Sequence, residues 1–315
     1  MSFDIEQVHH VGHVVRDMAE ALELYRRLGF RAEPPVYPLL SPSAGAPLQP
    51  FGVANTHVTF ARDFVELATV VGEATQLASG ARGVPLQAPP EQLPRLTEAI
   101  RRTSARVGAS LARFEGLHIL ALQTADADAS AARLAGLGIA NDGVHAVKRP
   151  IETAGGPQVE VIRYVELEQA PEGRLALVEK SSTAREAPEH PNGAIGVVEA
   201  VLCVAATERS DIERRYESYL GRRPRREAAA SVFELDGSAV TIVDEGGLAS
   251  VLPGERAPAI PAFVGYAVAV RDLATTRTVL QRGGLRVVEL GPHGCFVPAS
   301  AALGTAVIFR QHAHA

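Results

Sequence analysis

The sequence predicts an α+β fold made from one unit, a strand, a helix and then about three strands, given four times. Three observations predict it. The stretches "HVGHVVRDMAEALELYRRLGF" (10–30), "HILALQTADADASAARLAGLGI" (118–139), "EAVLCVAATERSDIERRYESYLGR" (199–222) and "GYAVAVRDLATTRTVLQRGGLRV" (265–287) each begin with aliphatic and β-branched residues, the mark of a buried strand. Each then turns through Asp or Thr, which cap helix N-termini, into a helix ending at Gly. The spacing to that glycine is nearly constant: His10 to Gly29 is 19, His118 to Gly138 is 20, Glu199 to Gly221 is 22 and Gly265 to Gly284 is 19.

Short apolar runs follow each helix. The first unit has "NTHVTFA" (55–61) and "DFVELATVV" (63–71). The second has "GVHAVKRP" (143–150), "QVEVIRYVEL" (158–167) and "RLALVEK" (174–180). The third has "SVFELD" (231–236) and "AVTIVDE" (239–245), and the fourth "RVVELG" (286–291), "GCFVPA" (294–299) and "GTAVIFRQ" (304–311). Between the first two units, Leu93, Leu96, Ile100, Val107, Leu111 and Phe114 fall on one face of an inserted helix expected around 91–113. The proline-rich stretch 33–54 reads as an irregular loop of the length that covers a site. The polar segment 183–196 reads as a linker between domains at 1–182 and 197–315.

Composition narrows the function. A formal net charge of −5 and a pI near 6.1 leave no basic footprint for nucleic acid. "GRRPRRE" (221–227) reads as a solvated helix end and turn. No signal-peptide pattern opens the chain, and "AIGVVEAVLCVAA" (194–206) is too short and too interrupted by Glu199 to span a bilayer. Two cysteines make no disulfide framework, Cys203 reads as a small core hydrophobe, and a cytoplasmic location is the default expectation. The expected partners are a small-molecule substrate and, at most, a second copy of the chain.

The repeated unit resembles the module of the vicinal oxygen chelate superfamily, which includes glyoxalases, extradiol dioxygenases and bleomycin-resistance proteins. "RDMAEALELYRRLGF" and "VRDLATTRTVL" are the most family-like words, and "RFEGLHIL" (113–120) and "HPNGAIG" (190–196) look like a glyoxalase-like branch built from four modules. The resemblance implies that the modules pair into two half-open barrels, with a metal held at the first and last strands of each module. Carried over, those positions are His10, Glu66, His118 and Glu179 in the first pair. Two imidazoles and two carboxylates suit a divalent transition metal (Zn, Ni, Mn or Fe) with positions left for substrate oxygens. The second pair offers Glu199, Thr241, Gly265 and Phe309 and reads as metal-free.

The implied chemistry is metal-dependent and redox-neutral, of isomerase, epimerase or lyase type, with Glu66 or Glu179 as the base that takes a proton alpha to a carbonyl. An extradiol-type Fe(II) dioxygenase using His10, His118 and Glu179 is the first alternative, and a metal-free small-molecule-binding resistance protein the second. Strand alternation places His9 and His13 on the face opposite His10. His57 is expected to line the cavity, His190 to cap structure, and His145 and His293 show no partners; His312 and His314 belong to the tail.

Overall fold

The computed structural model describes residues 4–41, 46–86, 89, 91–153, 156–181, 187–227 and 229–312. Residues 183–186 of the expected linker and His314 lie outside the described residues. The first module is β1 (Ile5–Val14), α1 (Met18–Arg27), β2 (Val36–Leu40), β3 (Gln49–Pro50), β4 (Gly52–Thr59) and β5 (Phe64–Val71). After it come β6 (Arg82–Pro85) and the inserted α2 (Leu93–Arg113). The second module is β7 (Gly116–Thr124), α3 (Ala127–Gly136), β8 (Asn141–Thr153), β9 (Gly156–Leu167) and β10 (Arg174–Glu179). The third is β11 (Ala194–Val204), α4 (Arg209–Leu220), β12 (Arg225–Arg226), β13 (Ala230–Glu234) and β14 (Ala239–Asp244), followed by α5 (Leu248–Val251). The fourth is β15 (Ala262–Val270), α6 (Leu273–Arg282), β16 (Val288–Glu289), β17 (Gly294–Val297) and β18 (Ala306–Gln311).

Local chemistry repeats with the modules. Asp17, Asp126 and Asp272 cap α1, α3 and α6 by accepting from backbone N–H groups of the first turn. Gly29, Gly138, Gly221 and Gly284 take positive φ of 82°, 74°, 68° and 66° just past the helices, a conformation open to glycine at little steric cost. That requirement explains the regular glycine spacing.

Each pair of modules forms one sheet. The first runs β3-β2-β4-β5-β1-β7-β10-β9-β8, with β6 on β2; the second runs β12-β13-β14-β11-β15-β18-β17-β16. The proline-rich 33–54 stretch corrects the sequence reading, because it contributes β2 and β3: Pro50 lies in the terminal strand β3, and Pro38, in β2 between β4 and β3 with β6, still accepts from Phe51 N through its carbonyl. The linker boundary also shifts: β11 already begins at Ala194.

The two sheets share one continuous apolar core that takes Tyr25, Phe30 and Leu120 from the first half and Tyr216, Tyr266 and Phe309 from the second. Here β1 approaches β11 and β7 approaches β15, and Phe30 stacks on Phe309 at 6.0 Å. A donor chain crosses the junction. His13 Nε2 lies 2.8 Å from the Leu303 carbonyl, so that nitrogen must carry the proton, and Nδ1 accepts from Tyr25 Oη at 3.0 Å. Tyr266 Oη then donates to Tyr25 Oη at 2.9 Å. The connection before β11 is fastened too: Asn192 Nδ2 donates to Leu28 O, and His190 bridges Arg31 N and Thr59 O, the structural role expected of it. Among the described residues no helix is long and apolar enough to cross a membrane.

Candidate functional site

With one face of each sheet spent on the shared core, chemistry is left to the opposite, concave faces. In the first sheet the strands β1, β5, β7, β9 and β10 enclose a cavity of about 120 Å³. Its apolar walls are Phe64, Ile119, Ile162, Ala176 and Val178; its polar groups are His9, His10, Tyr164 and Arg174. His10 faces the cavity because β1 alternates its side chains across the sheet. His9 joins it through a β-bulge: Val8 pairs with Leu122 and His10 with Ala121, so two steps on β1 match one on β7. His13 therefore lies buried behind the sheet, as strand alternation requires, whereas the bulge turns His9 to the side of His10.

The histidines form a small aromatic cluster. His9 Nδ1 and His10 Nδ1 are 2.8 Å apart, a hydrogen bond in which one ring donates and the other accepts. The His10 ring stacks on Phe64 at 4.4 Å and 9°, and His9 meets the Phe64 edge at 5.4 Å. His57 approaches Phe64 from β4 at 4.9 Å, and Glu66 accepts from Asn55 Nδ2 at 3.0 Å. At the far wall Arg174 gives Nε (2.7 Å) and Nη2 to Glu166 Oε1, while Arg106 of α2 gives Nη1 to Oε2 at 2.7 Å. Burial raises the Tyr164 phenol, which stays protonated at neutral pH. α2 has no fully buried residue; it lies against β4, β5 and β1, with Ile100 over Gly52.

A model of the glyoxalase-like domain family matches residues 8–220, more than half of the chain. The chain belongs to the glyoxalase-like family. The matched region runs from β1 through the whole first sheet into α4, so it includes the start of the second half. Solved structures share the fold of this glyoxalase-like chain at low identity. A hypothetical protein from Staphylococcus aureus has a TM-score of 0.57 at 9% identity, covering 98% of this chain and 100% of its own. A mutant of 4-hydroxymandelate synthase from Streptomyces coelicolor has 0.58 at 11%, covering 99% and 94%. The Mn(II)-bound glyoxalase from Novosphingobium aromaticivorans has 0.53 at 12%, covering 98% and 83%. No curated protein matches the sequence.

Strand register tests whether this glyoxalase-like chain assembles the expected four ligands. On the antiparallel β1–β7 pair, His10 opposes Ala121 and Gly12 opposes Ile119, so the local two-fold carries His10 onto Ile119. Alongside, Gly12 pairs with Glu66 on β5 and Ala121 with Ala176 on β10, so Glu66 is carried onto Ala176. The four equivalent inward positions hold His10, Glu66, Ile119 and Ala176: two donors and two hydrocarbons. Among the described residues no group of three or more His, Cys, Asp or Glu is placed to hold a metal ion. A four-donor centre does not fit this set.

His118 and Glu179 correct the sequence reading. His118 points behind the sheet, donating from Nε2 to Phe114 O at 2.9 Å against the Phe114 ring, and burial lowers its basicity. Glu179 also faces away, accepting from Ala127 N at the start of α3 (3.0 Å) and from Arg163 Nη1 (2.9 Å). A carboxylate at a helix N-terminus beside a guanidinium is stabilised by both. The set His10, His118 and Glu179 invoked for a dioxygenase is therefore not brought together.

The same register in the second sheet selects Glu199, Thr241, Gly265 and Ile308. Glu199 accepts from Thr241 (2.5 Å) and from Arg310 Nε (2.9 Å), and Phe309 faces the core instead. Val201, Ala267, Phe296 and Ile308, packed with Leu248 and Leu252, fill the rest of that face. Cys203 belongs to the same cluster, its thiol pushed up to about 11 by burial. Within 221–227, Arg222 donates to Glu234 O, Arg225 pairs with Glu234 and Arg226 with Glu213.

Proposed function

We propose that this glyoxalase-like chain is an enzyme that moves a proton on a small organic substrate held on the concave face of the first sheet, in redox-neutral isomerase, epimerase or lyase chemistry. The His9–His10 hydrogen bond on the cavity wall carries this reading. When both rings are neutral, the one donating through Nδ1 has its lone pair on Nε2, and the one accepting at Nδ1 has its proton on Nε2. One base and one acid then stand side by side. Once the base has taken a substrate proton at its Nε2 and the acid has given one from its Nε2, passing the Nδ1 proton along the bond returns both rings to neutral with their roles exchanged. The Phe64 stack fixes the plane of His10, so little orientation is lost when substrate arrives. The hydrocarbon walls exclude water from a developing carbanion or enolate.

This reading keeps the reaction class expected from the sequence and moves the proton-transfer role from Glu66 or Glu179 to the histidine pair. Its test is exchange of solvent deuterium into acids bearing a hydrogen alpha to a carbonyl. Exchange catalysed by the wild type should fall about 10²–10⁴-fold in His10→Ala and stay within a few-fold in His118→Ala. Unchanged exchange in His10→Ala would overturn it.

A further inference from the structure

We infer that the substrate class is a carboxylic acid with an apolar, ring-sized body, its carboxylate held by Arg174; this rests on the cavity being the substrate site. Charge comes first. The ionisable side chains lining the cavity are His9, His10, Tyr164 and Arg174, and the inward carboxylate of Glu66 lies outside that lining, accepting from Asn55 Nδ2. Shape comes second: about 120 Å³ between Phe64, Ile119 and Ile162 is close to the size of cavity that takes a benzene ring.

Preorganisation is the third observation. Two nitrogens of Arg174 are spent on Glu166, and Glu166 is held from its other oxygen by Arg106 of α2. Arg174 and Arg106 thus hold Glu166 from its two oxygens. The next acid, Asp142, is engaged by His145 at 2.7 Å and by the Glu166 N–H. Among the described residues no acceptor meets Arg174 Nη1, so the fork is fixed with donors to spare, the arrangement that suits a planar carboxylate. Spacing is the fourth. β7 separates β1 from β10, so the histidine pair and Arg174 stand on strands roughly 10 Å apart. A ring-sized body bridges that gap and leaves its far carbon beside the histidines.

The test compares phenylacetate with the uncharged phenylacetamide by calorimetry, with the ring ¹⁵N shifts of His9 and His10 as reporters of occupancy. Phenylacetate should bind the wild type at least about tenfold tighter than the amide. Arg174→Met should reduce it to the amide's level without changing amide binding, and Arg174→Lys should recover part of the difference. Glu166 keeps Arg106 in both variants, and circular dichroism checks the fold. Equal binding of the two probes, with the histidine shifts moved by both, overturns the carboxylate class and leaves the cavity as the site. Shifts moved by neither probe at millimolar concentration overturn the class and the site together.

Discussion

Asp63 lies in the turn between β4 and β5, where its Oδ1 accepts from Val197 N of β11 at 2.7 Å and so pins the first sheet to the second half. The carboxylate loses most of its water there, and its pKa is pushed up to about 7, chiefly by that desolvation and against the pull of the Val197 N–H and Arg62. A raised folded pKa is a stability statement with a definite sign. The unfolded group ionises near 4 and the folded one near 7, so stability is complete below pH 4 and declines as pH rises to 7. Three units at about 1.4 kcal/mol each set a ceiling of about 4 kcal/mol, and residual solvent contact brings the expectation to about 2 kcal/mol. Asp63→Asn retains the acceptor and removes the charge. Urea unfolding of the variant and wild type should therefore agree at pH 4 and diverge toward pH 8, with the variant more stable. A constant difference at all pH values, or a less stable variant at pH 8, would refute the reasoning.

Glu179→Ala should destabilise by about 1 kcal/mol through the lost α3 N-terminal contact and leave phenylacetate binding unchanged; a large binding loss would return Glu179 to the site. His13, pushed down to about 4 by burial, must stay neutral to serve Tyr25 and Leu303. With the folded value below the unfolded one near 6.5, stability is complete above pH 6.5 and falls by about 3 kcal/mol toward pH 4. His13→Gln should be weaker at pH 7.5 yet show a shallower acid limb in the same urea series, and parallel limbs would count against it.

The fold was legible because its punctuation is local. Asp caps recur in three of the modules, α4 starting instead at Glu208 without a side-chain cap, and αL glycines follow the helix in all four; neither needs tertiary knowledge. The ligand positions were not legible, for reasons visible in particular strands. β7 is buried at every residue, so no alternation tells which side His118 faces, and a one-residue slip exchanges it with Ile119. In "RLALVE" the signal was present: Glu179 shares parity with the core residues Leu175 and Leu177, whereas Arg174 shares it with Ala176 and Val178 of the cavity. The same parity places Arg174 on the cavity side. The turning of His9 toward the cavity depends on a bulge, a property of two strands that one strand's pattern does not reveal. Pro38 and Pro50 suggested a loop because proline disfavours inner strands; Pro50 lies in the terminal strand β3, while Pro38 sits in β2, which β4, β3 and β6 flank.

The most direct measurement is calorimetric titration of the wild type with Zn²⁺, Ni²⁺ and Mn²⁺ beside an Ile119→His, Ala176→Glu double variant. If the four inward positions are His10, Glu66, Ile119 and Ala176, the wild type has no site tighter than about micromolar, while the variant completes a two-imidazole, two-carboxylate set and gains one equivalent of tight metal. Tight stoichiometric binding by the wild type that is lost in His118→Ala or Glu179→Ala would contradict the account.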